Sequence, residues 1–254
     1  MTMSLKFINL ILYRSAAELR SEGTRTYAGY LWWIFEPLMS LAVYYVAFKY
    51  IFHRDTENFA IFLFCGIVIY RFFAGTVTRS AMSITGAFAL MQQVYMHKSI
   101  FPISVVIVNL AKFLVTLMLV FAAAWAAGIS PTWAYLALPG LCFLIVLVTA
   151  GASMICAAIT PFFPDFQLIL GTIMHLLIFL SGVFHDISKL SPKTQTLLRL
   201  NPLTAIIEQF RMILLHGQWP DWFLLIPAFL EGVVFLLIGW FLIHRFDKYF
   251  PKIS

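Results

Sequence analysis

The sequence predicts an all-α integral membrane protein: six transmembrane helices, an N-terminal amphipathic interface helix, and a short re-entrant or outer helix between spans five and six. Three observations carry this expectation. Hydrophobic residues make up 62% of the 254-residue chain and charged residues only 11%, whereas a soluble domain is near half apolar and about a quarter charged. The apolar residues gather into runs of about 20, the length a helix needs to cross the hydrocarbon core. Most charged residues fall between those runs. The net charge of +6 does not point to nucleic acid, because the basic residues are scattered; in a membrane protein, excess Lys and Arg records topology.

Residues 1–30 form the first segment. Leu5, Ile8, Leu12, Ala16 and Leu19 recur at steps of three and four, giving one apolar stripe, with Lys6, Asn9, Ser15, Glu18 and Arg20 around it. Such a helix lies in the membrane interface; an ordinary soluble amphipathic helix is the plainer alternative. The apolar run Phe7–Tyr13 is followed by Arg14 and Glu18 instead of a small-residue cleavage site, which argues against a signal peptide.

Residues 31–254 form the transmembrane domain. The spans are expected at Leu31–Phe52, Phe59–Thr78, Val105–Ala127, Tyr135–Ile159, Gln167–Val183 and Trp222–Ile243. Lys6, Arg14, Arg20, Arg25, Arg79, Lys98, Arg245, Lys248 and Lys252 then share one side; opposite, one short loop has Arg54, Gly128–Ala134 carries no charge, and the long, partly apolar last loop with Lys189, Lys193, Arg199 and Arg211 counts less. The positive-inside rule makes the first side, with both termini, cytoplasmic. Residues 184–221 are too apolar for a solvated linker. Asn201-Pro202 suits a helix start, and Leu203, Ile206, Ile207, Phe210 and Leu214 follow at helical spacing until Gly217. About 14 residues cannot span, so this helix either dips into the outer leaflet or packs flat against the outer ends of the spans.

No catalytic constellation emerges: no GxxxxGK[ST], HExxH or GxSxG pattern is present. His185-Asp186 are sequence neighbours on a loop and make a poor acid–base dyad. Cys65, Cys142 and Cys156 lie in apolar runs without a CxxC pair, so neither a metal site nor a disulfide framework is expected. Glu36, Arg71 and Lys112 are ionisable residues inside apparent spans, as is Glu231, and charges there face a partner or a wet cavity. Counting the helical rise puts Arg71 and Lys112 at similar depths, about 13 Å from the cytoplasmic side, with Glu36 shallower. A structural ion-pair cluster is the first expectation and substrate contact the second. Tyr44, Phe48 and Phe52 recur every four residues on the outer half of span one; such a stripe either packs against a neighbouring helix or lines a glycan path.

Three stretches carry a resemblance. GTRTYAGYLWWIFEPLMSLAVYYVAFKYIF leads from the amphipathic segment through "GYLW…EP" into span one, KSIFPISVVIVNLAKFLV enters span three, and LNPLTAIIEQFRMILL follows span five. In this order and spacing they resemble the membrane permeases of polysaccharide ABC exporters, and the Phe-Pro form after span two is similar to the O-antigen branch. The resemblance implies a half-transporter without its own nucleotide site. Two copies would form the channel, with two ATPase subunits binding ATP and Mg on the cytoplasmic face of the bacterial inner membrane. The cargo would be a lipid-linked polysaccharide of O-antigen, capsule or teichoic-acid type. It further implies that the connector Met91–Lys98 (Gln92, Gln93, Val94, Tyr95, Met96, His97 and Lys98 in particular) couples to the ATPase. Residues 1–30 would be the interface helix, and Asn201, Pro202 and Arg211 would belong to an outer re-entrant helix. The connector TPFFPDF departs from a strong second ATPase contact, since Asp165 is its only charge. Other readings are an exporter of smaller lipids or drugs, a membrane-embedded glycan acyltransferase, which should show clustered polar catalytic residues, and an ion channel, which should show a filter-like segment.

Overall fold

The computed structural model describes residues 3–25, 27–51, 58–93 and 96–250. Among these, every regular element is helical: α1 (Met3–Arg25), α2 (Leu31–Val46), α3 (Phe59–Ala81), α4 (Phe88–Gln93), α5 (Ile100–Ala126), α6 (Leu138–Ile159), α7 (Phe166–Leu180), α8 (Pro192–Arg199), α9 (Pro202–His216) and α10 (Trp222–Phe246). Among the described residues, five stretches are long and apolar enough to cross a membrane: Leu31–Tyr50, Phe59–Ala81, Ile100–Ala126, Trp133–Ile159 and Trp222–Phe246. They incorporate α2, α3, α5, α6 and α10. The first ends in a π-helical turn, Ala47–Ile51, and the fourth begins with a 3-10 turn. Phe52, Val94 and Tyr95 lie outside the described residues.

α3 is the central post, with α5, α6, α9, α2 and α7 around it. Its middle turns are buried all round, including Leu63, Phe64, Ile67 and Ile69, as expected of a helix enclosed by others. The closest helix pair is α6 with α10. Without a hydrophobic drive between helices in lipid, close backbone approach supplies the packing energy, and glycine permits it. A Cβ on Gly151 would lie 2.6 Å from the Leu236 backbone nitrogen, and one on Gly239 would lie 2.6 Å from the Met154 Cβ.

One end of the bundle, here the basal end, gathers α1, α4 and the C-terminal turns of α6 and α10. A small core there joins Ile84, Met91, Phe101, Met154, Ile243 and Phe250. α1 lies along α5: Ile11 and Ser15 are buried against it, the Ser15 hydroxyl reaches the Ser104 carbonyl at 3.4 Å, and the Arg14 guanidinium sits 4.5 Å from the Phe101 ring centroid.

The other, distal end is organised around the break after α7. The sequence reading extends span five to Val183, but α7 stops at Leu180 because Gly182 turns the chain with a φ of 66°. Its 15 residues rise only about 22 Å. Carbonyls at a helix end have no intrahelical partner, and in an apolar layer each must find one. α9 provides them. The Thr204 hydroxyl donates to the Leu180 carbonyl at 3.3 Å, and Arg211 donates to the Gly182 and Val183 carbonyls at 2.7 and 2.8 Å. The Ser181 hydroxyl serves the Leu177 carbonyl and accepts from the Asn201 amide at 2.9 Å. Asn201 also caps α9 by accepting from the Leu203 N–H at 3.1 Å, with Pro202 in the first helical position. Gly217, at a φ of 63°, ends the helix.

α9 is thus wedged among α3, α6 and α10, with Leu203, Ile206, Ile207, Phe210 and Ile213 fully buried. The Arg211 guanidinium lies 3.4 Å from the Phe62 ring centroid and donates to the Phe62 carbonyl at 3.2 Å. It fits because residue 66 is glycine: a Cβ there would lie 2.6 Å from Nη2. Replacing Arg211 by Met leaves buried carbonyls without donors, at about 1–3 kcal/mol each. R211M is therefore expected to lose about 3 kcal/mol or more in detergent-micelle unfolding, and Gly66→Ala to lower stability in the same direction by displacing the guanidinium.

Candidate functional site: a charged cavity near the basal end

A cavity of about 280 Å³ opens among α2, α3 and α5 near the basal end, bordered by Trp33, Glu36, Arg71, Arg79, Asn109 and Lys112, with Val68, Phe72 and Phe113 on its apolar wall. Helical spacing accounts for the arrangement. Arg71, Gly75 and Arg79 follow at steps of four on α3, and Asn109, Lys112 and Thr116 at steps of three and four on α5, so each helix turns one polar strip to the same gap.

The structure brings Glu36 and Arg71 together. The guanidinium is hydrogen-bonded to the Glu36 carboxylate and also donates to the Ser40 hydroxyl at 2.6 Å. Lys112 is placed elsewhere: its ammonium reaches back along the helix to Glu22 of α1 at 2.6 Å, passing 5.5 Å from the Trp33 ring centroid. A long stem lets a lysine within a span carry its charge toward the interface. Arg79 completes the group, bound to Glu18 at 2.7 Å and to Glu22 at 2.5 Å. Glu22 therefore bridges two cations on two different helices. Burial works to raise its pKa, but the hydrogen bonds from Lys112 and Arg79 outweigh it and hold the carboxyl below the usual glutamate range.

Glu18, Glu22 and Arg79 were not among the site residues the sequence suggested. Their signal was present, since Glu18 and Glu22 stand four apart on α1 and so share a face. What pattern alone does not give is which distant cations meet that face.

The connector after α3 divides into two parts. Gln92 and Gln93 are exposed on α4, whereas Met91 is buried. Met96 is half-buried. Lys98, 3% exposed, is ion-paired to Asp247 after α10 at 3.4 Å. The His97 ring is stacked 5.6 Å from Trp240 and 5.9 Å from His244, with Phe7 edge-on at 6.1 Å. His97 and Lys98 thus tie the connector to α10 and α1, and Gln92 and Gln93 are its outward-facing members. On the distal half, Tyr44 and Phe48 meet Phe184 at centroid distances of 4.8 and 5.0 Å, so these rings pack within the chain. Asn201, Pro202 and Arg211 sit at the α7–α9 junction described above, where their contacts are structural.

Together, the long apolar helices and the ionic groups between them define a multi-pass membrane protein. The model of the family described as ABC-2 type transporter matches residues 17–215, and the chain belongs to that family. It is 26% identical over 218 residues to an O-antigen export system permease protein, RfbA, of Myxococcus xanthus, covering 85% of this chain and 84% of that one. An RfbA of Klebsiella pneumoniae is 22% identical over the full length of both. The polysialic acid transport protein KpsM of Escherichia coli is 24% identical over 79% of each.

Two outcomes follow from the basal geometry. Reversing Lys112 to Glu should weaken the docking of α1, and the double reversal with Glu22→Lys should recover part of the loss. For a pair about one-fifth exposed on each side, a double-mutant cycle by thermal unfolding should give a coupling of about 1 kcal/mol. Burial lowers the pKa of His97 from the ordinary 6.5, with His244 and Lys98 acting in the same direction against Asp247. The unfolded chain then binds that proton more readily, so the stability linked to His97 is complete above about pH 6.5 and is lost as the pH falls below it. H97F should flatten the slope of melting temperature between pH 7 and 5.5.

Proposed function

We propose that this chain is the permease half of an ABC exporter moving a lipid-linked, O-antigen-like polysaccharide out of the cytoplasm. The observation that carries the reading is the correspondence with O-antigen export permeases, which spans 85% of this chain in one relative and its full length in another. Two copies would work with two ATPase subunits, which would bind ATP and Mg. The basal end is the cytoplasmic face of the bacterial inner membrane, in keeping with its excess of Lys and Arg. Gln92 and Gln93, exposed on α4, are the ATPase-contacting members of the connector. His97 and Lys98 carry its displacement to α10.

In this reading α7, fifth in chain order, brings the crossings to six. It is too short to cross alone, and the Ser181–Val183 turn with α9 completes the distal layer. That α9 is enclosed by three apolar helices favours a helix dipping into the outer leaflet over one lying flat upon it. A capsule-type cargo is the second reading, favoured by the KpsM relatives.

Deleting the gene in its host should remove the long-chain polysaccharide from the cell surface and leave lipid-linked glycan inside, as read by gel and immunoblot. Normal surface glycan would overturn the assignment. In the complemented strain, Gln92→Glu with Gln93→Glu should lower export severalfold while the permease remains in the membrane.

A further inference from the structure

The basal cavity has a composition that structural ion pairing alone does not require. Its polar side gathers Arg71, Arg79 and Lys112 together with Glu36, Asn109 and Thr116, and Val68, Phe72 and Phe113 give it an apolar wall. Two of the three cations are guanidiniums, whose planar fork matches the oxygens of a phosphate group. Lys112 delivers its charge toward the interface, where phospholipid headgroups lie. The apolar wall would receive the first carbons of a chain attached to such a headgroup. At about 280 Å³ the space is near the lower end of the range for ligand sites, enough for one headgroup and not for a folded glycan.

The counter-charges differ in kind. Glu36 belongs to α2, lines the cavity and stays with Arg71. Glu18 and Glu22 belong to α1, a separate helix packed along α5, and they hold the lining residues Arg79 and Lys112 from outside the cavity. If α1 lifts, the cavity keeps two cations without a partner inside it, and the two glutamates pass to the aqueous interface, where their charge is readily solvated. We propose that this cavity is a binding site for a doubly charged phosphate-class group, and that Glu18 and Glu22 occupy its cations as a carboxylate latch that the bound anion displaces, releasing α1. Two unpartnered cations favour a phosphomonoester or diphosphate over the singly charged phosphodiester of ordinary phospholipids. The proposal rests on the exporter reading only in taking the natural ligand to be the headgroup of the lipid carrier.

The test uses the full-length permease in phosphatidylcholine nanodiscs, titrated with inorganic pyrophosphate by calorimetry. Wild type should bind, and Glu22→Gln should bind more tightly, by about fivefold, since it removes a competing anion and no cation; this is the size of one partly exposed ion pair. Lys112→Met should abolish binding. Glu18→Gln, which leaves the bridging Glu22 in place, provides the same test if Glu22→Gln fails to fold. In a second arm, nanodiscs containing phosphatidic acid should compete with pyrophosphate and speed trypsin cleavage at the exposed Arg20 of α1, while phosphatidylglycerol should do neither. Competition by phosphatidic acid identifies a lipid headgroup; pyrophosphate binding without it identifies a soluble source at the same site. Absence of binding in wild type and both glutamine variants, or weaker binding in Glu22→Gln, would overturn the latch. The deletion and complementation assay tests export independently, so K112M cells that export normally refute the site and leave the exporter reading standing.

Discussion

Backbone carbonyls stranded at the end of α7 set the conditions for the distal half of the molecule. In water the Gly182 and Val183 carbonyls would be solvated; between apolar helices they need protein donors. The 6%-exposed guanidinium of Arg211 supplies both, and its position requires α9 to lie deep enough to reach α7 and the first turns of α3 at once. The buried placement of α9, the glycine at position 66 and the cap formed by Asn201 and Ser181 all follow from that requirement. A charge buried this deeply is costly alone, but here it is matched by three carbonyls and the face of Phe62.

The basal end uses charge in another way. The cations and carboxylates that hold α1 are each partly exposed, so these ionic contacts are individually weak and sensitive to salt and to competing anions. α1 is held on one side by Ile11 and Ser15 against α5 and on the other by the Glu18–Glu22 face. Such a helix can be released by local competition without unfolding the bundle. The distal junction cannot, since its hydrogen bonds are internal and buried. One end is therefore built for rigidity and the other for exchange.

Between the two ends, α6 and α10 form the most intimate helix pair, through Gly151 and Gly239. α10 reaches the distal end at Asp221, whose N–H donates to Gln209 of α9 at 2.8 Å. It reaches the basal end at Asp247, paired with Lys98. A displacement of the connector thus has a continuous packed route through α10 to α9. In a multi-pass member of the ABC-2 type transporter family, a rigid element joining both ends gives a physical means of relating events on either side.

Much of this was legible in the sequence. Composition determined the membrane class, because a chain 62% apolar has no aqueous fold. Periodicity located α1 and α9, the length of the apolar runs located the five long helices, and Asn201-Pro202 marked the start of α9 by capping chemistry that is local. The length of α7, the partner of Lys112 and the roles of His97 and Lys98 were not legible. Each depends on groups far apart in sequence, such as Gly182 with Arg211, Lys112 with Glu22, and Lys98 with Asp247. Hydropathy and helical spacing report how one segment meets lipid. Which buried charge meets which carbonyl or carboxylate is decided only when packed helices bring distant segments within hydrogen-bonding range, and that the tertiary structure alone determined.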